Sequence, residues 1–150
     1  MRVVLQRVSE ASVDINGKET RAIEQGMVVL VGVEDADSET DADWLAQKIA
    51  GLRIFSDDDG KMNHSAVDKN GQLLIISQFT LHASTKKGTR PSYMKAAKPE
   101  KAIPLYEHFI SECKRYFPAR VQTGEFGADM KVRLINDGPV TISIDTQNRE

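Results

Sequence analysis

Apolar residues divide the chain into short strand-like runs and two longer helix-like runs. Residues 2–8 and 11–15 alternate loosely between apolar and polar positions and are rich in β-branched residues. An Asn16-Gly17 pair follows them, and Asn-Gly between two strand-like runs is a strong signal for a β-hairpin. Residues 27–33 are continuously apolar, which predicts a strand that is covered on both faces.

Two stretches have the spacing of amphipathic helices. An acidic stretch at 34–43 leads into the first, with Ser38 or Thr40 as the predicted N-cap. The second is predicted over residues 99–117, with Pro104 in its first turns, where a missing N–H is tolerated. Its apolar stripe contains Ala102, Ile103, Tyr106, Phe109, Ile110, Cys113 and Phe117.

The remaining apolar runs predict further strands at 53–55, 71–81, 121–126, 130–136 and 140–145. The predicted element order is therefore β-β-β-α-β-β-α-β-β-β. This order predicts an α+β fold in one domain, residues 1–150, with a mixed or antiparallel sheet that curls toward a barrel and two helices that cover it.

Composition and charge narrow the classes of function. The 150 residues carry a formal net charge of −2, so any contact with nucleic acid must come from a local patch. The single cysteine, Cys113, falls at an apolar helical position and is predicted to be a core thiol in a reducing cytoplasm. No signal-peptide core opens the chain and no apolar run approaches 18 residues, so no membrane span is predicted.

One local patch does stand out against this charge. Residues 84–101, called here the basic segment, contain six basic residues and one acidic residue. Mobile lysines and an arginine suit contact with phosphate groups without base reading, and a merely solvated loop is the alternative. The candidates for phosphate contact are Lys86, Lys87, Arg90 and Lys95.

Residues 73–84 read LLIISQFTLHAS, so polar groups interrupt a strand that should stay apolar or stop. Burying such groups without partners costs about 1–3 kcal/mol each, which indicates that they meet something. Backbone N–H groups at a strand end could form an oxyanion hole for an activated ester. We call residues 77–80 the SQFT segment.

Side-chain machinery for hydrolysis is sparse. The chain has three histidines, His64, His82 and His108, and no Gly-x-Ser-x-Gly elbow. On a strand, Thr80 and His82 would share a face, so a Thr-His dyad is one weak possibility.

Residues 136–141 read NDGPVT. A plain turn between two strands is the simple interpretation. If the Gly138-Pro139 bond were cis, both carbonyls could point the same way and form a rigid wall of acceptors.

Together these segments resemble the D-aminoacyl-tRNA deacylases, the D-tyrosyl-tRNA deacylase family. The diagnostic combination is SQFTL at 77–81 followed by NxGPV/T at 136–141. The resemblance runs nearly end to end and includes MRVVLQRVSEASV, LRIFSDDDGKMN, RPSY and TGEFGADM.

The resemblance implies a homodimer that hydrolyses the ester between a D-amino acid and tRNA, and also frees glycine from tRNA(Ala), with no cofactor or metal. It implies that Gly138-Pro139 is cis and enters the partner's active site. There, with Asn136, it would select the hand of the substrate. The implied catalytic residues are Ser77, Gln78, Phe79 and Thr80.

Two questions stay open at this level. Hydrolysis could be driven by the Thr80 hydroxyl or by the 2′-hydroxyl of the terminal adenosine, and the second is preferred because no strong base is near Thr80 in sequence. Two rival functions are a non-catalytic RNA-binding module that uses the basic segment and a small-molecule esterase that uses Thr80 and His82.

Overall fold

The computed structural model describes residues 1–150 as eight strands and two helices. The strands are β1 (Arg2–Ile15), β2 (Glu19–Ile23), β3 (Gly26–Gly32), β4 (Phe55–Ser56), β5 (Met62–His64), β6 (Gln72–Ser77), β7 (Val121–Thr123) and β8 (Met130–Asp145). The helices are α1 (Glu39–Gly51) and α2 (Pro99–Tyr116), and a short 3₁₀ turn, Phe79–His82, follows β6.

Six strands form one mixed sheet in the order β2-β1-β3-β6-β7, with β8 paired to β1. The first half of β1 pairs with β3 and its second half with β2, while β8 runs antiparallel along nearly its whole length. The register between β1 and β8 shifts on either side of Val8, and such bulges bend a sheet. The sheet is nearly closed, so the predicted α+β fold is confirmed.

The sheet buries apolar side chains on both faces. On one face, Leu73 and Ile75 of β6 belong to a cluster that includes Leu45 of α1 and Phe109 of α2. The alternate residues of the central strands, Leu74 and Ile76 among them, face a second cluster that β1 and β2 complete. Because both faces are covered, β3 and β6 are apolar at nearly every position.

Several local predictions are confirmed. Asn16 and Gly17 have φ values of 52° and 65° in the turn that joins β1 to β2. Helix α1 begins directly after Ser38. Cys113 is fully buried, and this burial raises the pKa of its thiol well above the usual range. Neither helix is long and apolar enough to cross a lipid bilayer.

Several predicted strands have the wrong limits. Residues 2–8 and 11–15 form one strand, because the bulges near Val8 carry the chain through without a break. Residues 130–136 and 140–145 also form one strand, β8, which runs through the NDGPVT residues. The strand predicted at 71–81 ends at Ser77, where the backbone leaves the sheet for the 3₁₀ turn, and the strand predicted at 121–126 ends at Thr123.

Candidate active site

The SQFT segment forms a tight turn at the end of β6. Gln78 adds one backbone hydrogen bond to β3, from its N–H to the carbonyl of Val31 at 2.7 Å, and its own carbonyl accepts the N–H of Leu81 at 3.2 Å. The first N–H groups of a helical turn have no partner within that turn. Phe79 and Thr80 are the first two residues of the turn, so their N–H groups are of this kind.

The Thr80 hydroxyl is held by a neighbour from the same segment. The side-chain amide of Gln78 donates to Thr80 Oγ1 at 2.5 Å. No histidine or carboxylate contacts this hydroxyl within hydrogen-bond distance, so no side chain of the chain is placed to take its proton. The SQFT side chains therefore present hydrogen-bonding groups and no strong base.

The Thr-His dyad that a strand would have placed on one face is not formed. His82 is only 1% exposed, and neither of its ring nitrogens has a hydrogen-bond partner. Its ring lies beside Gly32, and its nearest charged group is the Glu34 carboxylate, 4.0 Å from Nδ1. His82 is thus a buried residue beneath the turn, because successive side chains of a 3₁₀ turn point in different directions.

Two contacts fix the position of the turn. A Cβ on Gly32 would lie 2.9 Å from the Gln78 carbonyl oxygen, so glycine allows the turn to sit directly on the end of β3. From β1, Arg2 donates to the carbonyl of Leu81 at 2.8 Å while it also pairs with Asp145 at 2.7 Å. The turn is therefore held by the ends of two neighbouring strands.

A cleft of about 370 Å³ opens beside the SQFT segment. This volume falls within the range of small-ligand sites. Its wall combines the end of β6 with the loop before β8 and the start of β8. The lining residues are Ile76, Ser77, Gln78, Phe79, Phe126, Gly127, Ala128, Asp129, Met130 and Val132.

The basic segment begins just after the turn. Ser84 and Ser92 exchange two backbone hydrogen bonds, at 2.8 and 2.9 Å, which close the residues between them into a hairpin-like loop. The candidate phosphate contacts Lys86, Lys87 and Arg90 lie in that loop, and Lys95 follows it. All four are exposed and none forms an ion pair within the chain. The Tyr93 ring meets the Phe79 ring edge to face, with centroids 5.1 Å apart.

The NDGPVT residues lie on the exposed part of β8. The Gly138-Pro139 bond is cis, as the resemblance implies, and both residues are exposed. Asn136 braces them, because its Oδ1 accepts the N–H of Val140 at 2.9 Å. Arg7 donates to the carbonyl of Asp137 at 2.8 Å, a contact that no sequence pattern indicated.

Within one chain, the structure does not bring these residues to the SQFT cleft. The residues of β8 that line the cleft are Met130 and Val132. Gly138 follows Val132 by six residues along the strand, which corresponds to about 20 Å. The predicted site therefore consists of two separate parts in a single copy of the chain.

Comparison with known proteins shows the family to which the chain belongs. The family described as D-Tyr-tRNA(Tyr) deacylase matches residues 4–145. A D-aminoacyl-tRNA deacylase of Bacteroides fragilis is 62% identical over 150 residues, and one of Flavobacterium johnsoniae is 58% identical, each alignment covering 100% of both chains.

Solved structures show the same fold. The structure of a protein called "c-Myc DNA Unwinding Element Binding Protein" has a TM-score of 0.91 and 38% identity, over 97% of this chain and 98% of that one. A probable eukaryotic D-amino acid tRNA deacylase has a TM-score of 0.83 at 18% identity, over 95% and 97% of the two chains, which supports the fold alone. The fold and the sequence together place the chain among the aminoacyl-tRNA deacylases. This chain belongs to the D-Tyr-tRNA(Tyr) deacylase family.

Proposed function

We propose that this protein hydrolyses the ester bond of D-aminoacyl-tRNA and releases the D-amino acid and free tRNA. Residues 1–150 act as one D-aminoacyl-tRNA deacylase domain in the cytoplasm, where tRNA is charged. The observation that carries the proposal is the SQFT turn, whose Ser77, Gln78 and Phe79 line a cleft in a chain 62% identical to a named deacylase. Thr80 follows them directly as the second residue of the turn.

In this proposal the terminal adenosine occupies the cleft and the ester carbonyl faces the N–H groups of Phe79 and Thr80. Water attacks the carbonyl carbon, the bond from that carbon to the ribose oxygen breaks, and the ribose oxygen takes up the proton that the water loses. Each donor to the developing oxyanion is worth about 2.7–4 kcal/mol of barrier. Ser77 and Gln78 shape the pocket, and no metal or cofactor takes part.

We assign the driving group to the 2′-hydroxyl of the adenosine rather than to Thr80. Thr80 Oγ1 accepts a hydrogen bond from Gln78, and an activated nucleophile needs an adjacent base that is absent there. Thr80→Val is therefore expected to lose only a few-fold in rate, while a 2′-deoxy substrate is inert. A loss of several orders of magnitude in folded Thr80→Val would reverse the assignment.

A second copy of the chain supplies the other half of the site. Strand β8 pairs only with β1, so its outer edge is free, and it exposes Val132 and Ile135. A long free edge with exposed apolar residues is a template for pairing with another chain. In a homodimer, Gly138-Pro139 of one copy, braced by Asn136, would reach the SQFT cleft of the other.

This arrangement explains selection of the hand. Main-chain carbonyls at Gly138-Pro139 hold the α-amino group, and a wall without side chains excludes an L side chain by collision. Glycine has no side chain to exclude, so release of glycine from tRNA(Ala) follows as a second activity. The exposed Lys86, Lys87, Arg90 and Lys95 contact tRNA phosphates, which makes binding weaken as salt rises.

The direct test compares purified protein on D-tyrosyl-tRNA and L-tyrosyl-tRNA. Release of tyrosine from the D substrate alone is expected. Equal release from both would contradict chiral selection, and no release would contradict the proposal as a whole.

Mixed dimers test whether the site is shared. Phe79→Pro removes one N–H donor at a first-turn position that accepts proline, and Gly138→Ala damages the other half. Co-expressing the two variants is expected to restore about half of the activity per mixed dimer, because one of its two sites is intact. Phe79→Leu, which keeps the N–H, is the matched control. If mixed dimers form without recovery, the halves act within one chain.

The likeness to a protein called a DNA unwinding element binding protein favours a second candidate, a nucleic-acid-binding role without catalysis. The unpaired cations of the basic segment would suit it. Salt-dependent binding of RNA or DNA together with no ester release would favour this candidate over the deacylase.

A further inference from the structure

Two exposed aromatic rings meet where the cleft borders the basic segment, one from each. Phe79 is 55% exposed and Tyr93 is 39% exposed. Their centroids are 5.1 Å apart and their planes meet at 73°. Phe79 also lines the SQFT cleft, so the pair begins where the cleft ends.

We propose that Phe79 and Tyr93 form a stacking site for the penultimate base of the RNA, the one that precedes the esterified adenosine. This inference rests on the proposed function. The cleft, about 370 Å³, holds one nucleoside, so the next nucleotide must leave across its rim. Unpaired RNA bases are commonly held by stacking on exposed aromatic side chains.

The charges around the pair favour RNA over a protein partner. Tyr93 directly follows the Ser84–Ser92 hydrogen bonds that close the loop carrying Lys86, Lys87 and Arg90. A strand that leaves the cleft over the two rings therefore passes toward unpaired positive charge. Loops of this kind combine stacking with phosphate attraction when they hold single strands.

Tyr93 is available for this role because its hydroxyl group forms no hydrogen bond within the chain. Its ring contacts Phe79, while the backbone of the adjacent Ser92 is fixed by the two hydrogen bonds to Ser84. The next residue, Met94, is 88% exposed and provides a matched apolar control on the same stretch of backbone.

The test uses three substrates of increasing length, each carrying D-tyrosine: adenosine, the dinucleotide CpA and intact tRNA. Wild-type kcat/KM is expected to rise when the penultimate nucleotide is added. Tyr93→Ala should reduce that gain roughly tenfold, the size expected for the loss of one stack. Tyr93→Phe, which keeps the ring, should retain it within about twofold, and Met94→Ala should behave as wild type.

Binding gives a second readout that does not depend on hydrolysis. Unesterified CpA is expected to shift the NMR signals of the Tyr93 ring, and adenosine alone is expected to shift them much less. If CpA leaves the Tyr93 ring unchanged, the inference is wrong even when the wild-type protein is an active deacylase. If CpA shifts the ring but no ester is cleaved, the stacking site stands and the proposed function fails.

Other outcomes would also overturn the stacking site. An equal loss on adenosine and CpA would mean that Tyr93 only supports Phe79 in the turn. A loss that appears only with intact tRNA would assign Tyr93 to the helical part of the RNA. A change in oligomeric state on Tyr93→Ala would assign the rings to a contact between copies of the chain.

Discussion

Arg7 donates a hydrogen bond from Nε to the carbonyl of Asp137 at 2.8 Å, which ties the middle of β1 to the residue before Gly138. A second bond runs from its Nη1 to the carbonyl of Ile54 at 2.6 Å. The side chain is only 12% exposed, so the guanidinium forms a nearly buried clamp beneath Gly138-Pro139.

Replacing Arg7 by alanine should release that clamp. A displacement of about 1 Å at a site that positions substrate can cost on the order of a hundredfold in rate, and we expect a loss of that size in kcat/KM for D-tyrosyl-tRNA. Arg133→Ala is the control, since Arg133 also lies on β8 but is 69% exposed and pairs with Asp14. Similar losses in both variants would contradict a specific role for Arg7.

Gly138 has a φ of +140°, and a Cβ there would lie 2.8 Å from a methyl group of Val140. Gly138→Ala is therefore expected to destabilise the chain by about 1–3 kcal/mol and to lose deacylase activity. Gly51, at the end of α1, has open space around it, and Gly51→Ala should raise the free energy of unfolding by about 0.5–1 kcal/mol. Urea unfolding of both variants measures these changes in the free energy of unfolding. A Gly138→Ala variant as stable as the wild type would contradict the prediction.

Gly32→Ala should act on the turn rather than on the sheet. The added methyl group would meet the Gln78 carbonyl oxygen and the His82 ring, both at 2.9 Å. The turn must then move away from β3, which displaces the Phe79 and Thr80 N–H groups. We expect kcat to fall by a larger factor than KM changes, because oxyanion donors act mainly in the transition state. A rise in KM alone, with kcat intact, would contradict the proposed role of these N–H groups as oxyanion donors that the methyl group displaces.

The pair formed by His108 and Asp43 should make stability depend on pH. The Asp43 carboxylate lies 2.7 Å from His108 Nε2 and raises the pKa of the imidazole. Because the pKa is raised in the folded state, the stabilisation is fully present below the unfolded pKa of about 6.5 and is lost as pH rises through the folded value. Comparing wild type with His108→Gln in urea at acidic and alkaline pH should show a difference only on the acidic side.

The helices and the central strands could be predicted because their signals are local. Helix α2 ends within one residue of the predicted position, since its apolar stripe and its initial proline lie in one continuous stretch. The continuous apolar run of β3 likewise predicts, by itself, that both faces of this strand are buried.

The two longest strands could not be delimited in the same way. The polar residues after Val8 and the Gly138-Pro139 pair look like breaks in sequence. Both are accommodated by bulges, because β1 bulges near Val8 and because residues 137–140 of β8 pair with nothing on β1, so Pro139 interrupts no ladder hydrogen bond. Whether two strands resume their pairing after a bulge is decided by the whole sheet, so a local pattern does not contain this information.

The candidate site also has a part that could be predicted from sequence and a part that could not. The SQFT segment and the NDGPVT residues were found by their composition, because polar groups, glycine and proline interrupt strand patterns. The residues that hold these segments in place could not be predicted from the sequence. Arg7 is 130 residues from Asp137 along the chain, and Arg2 is 79 residues from Leu81, so only the folded sheet reveals that these residues meet.

The two hydrogen bonds between Ser84 and Ser92 fix both ends of the loop that carries Lys86, Lys87 and Arg90, so changes within the loop need not be transmitted to the rest of the protein. The ends of the loop stay fixed whatever its tip contains, so lysines could be gained, lost or inserted there without disturbing the SQFT turn that precedes it. Under the proposed function, the affinity for tRNA and the rate of ester hydrolysis could thus be adjusted independently, in evolution or by engineering.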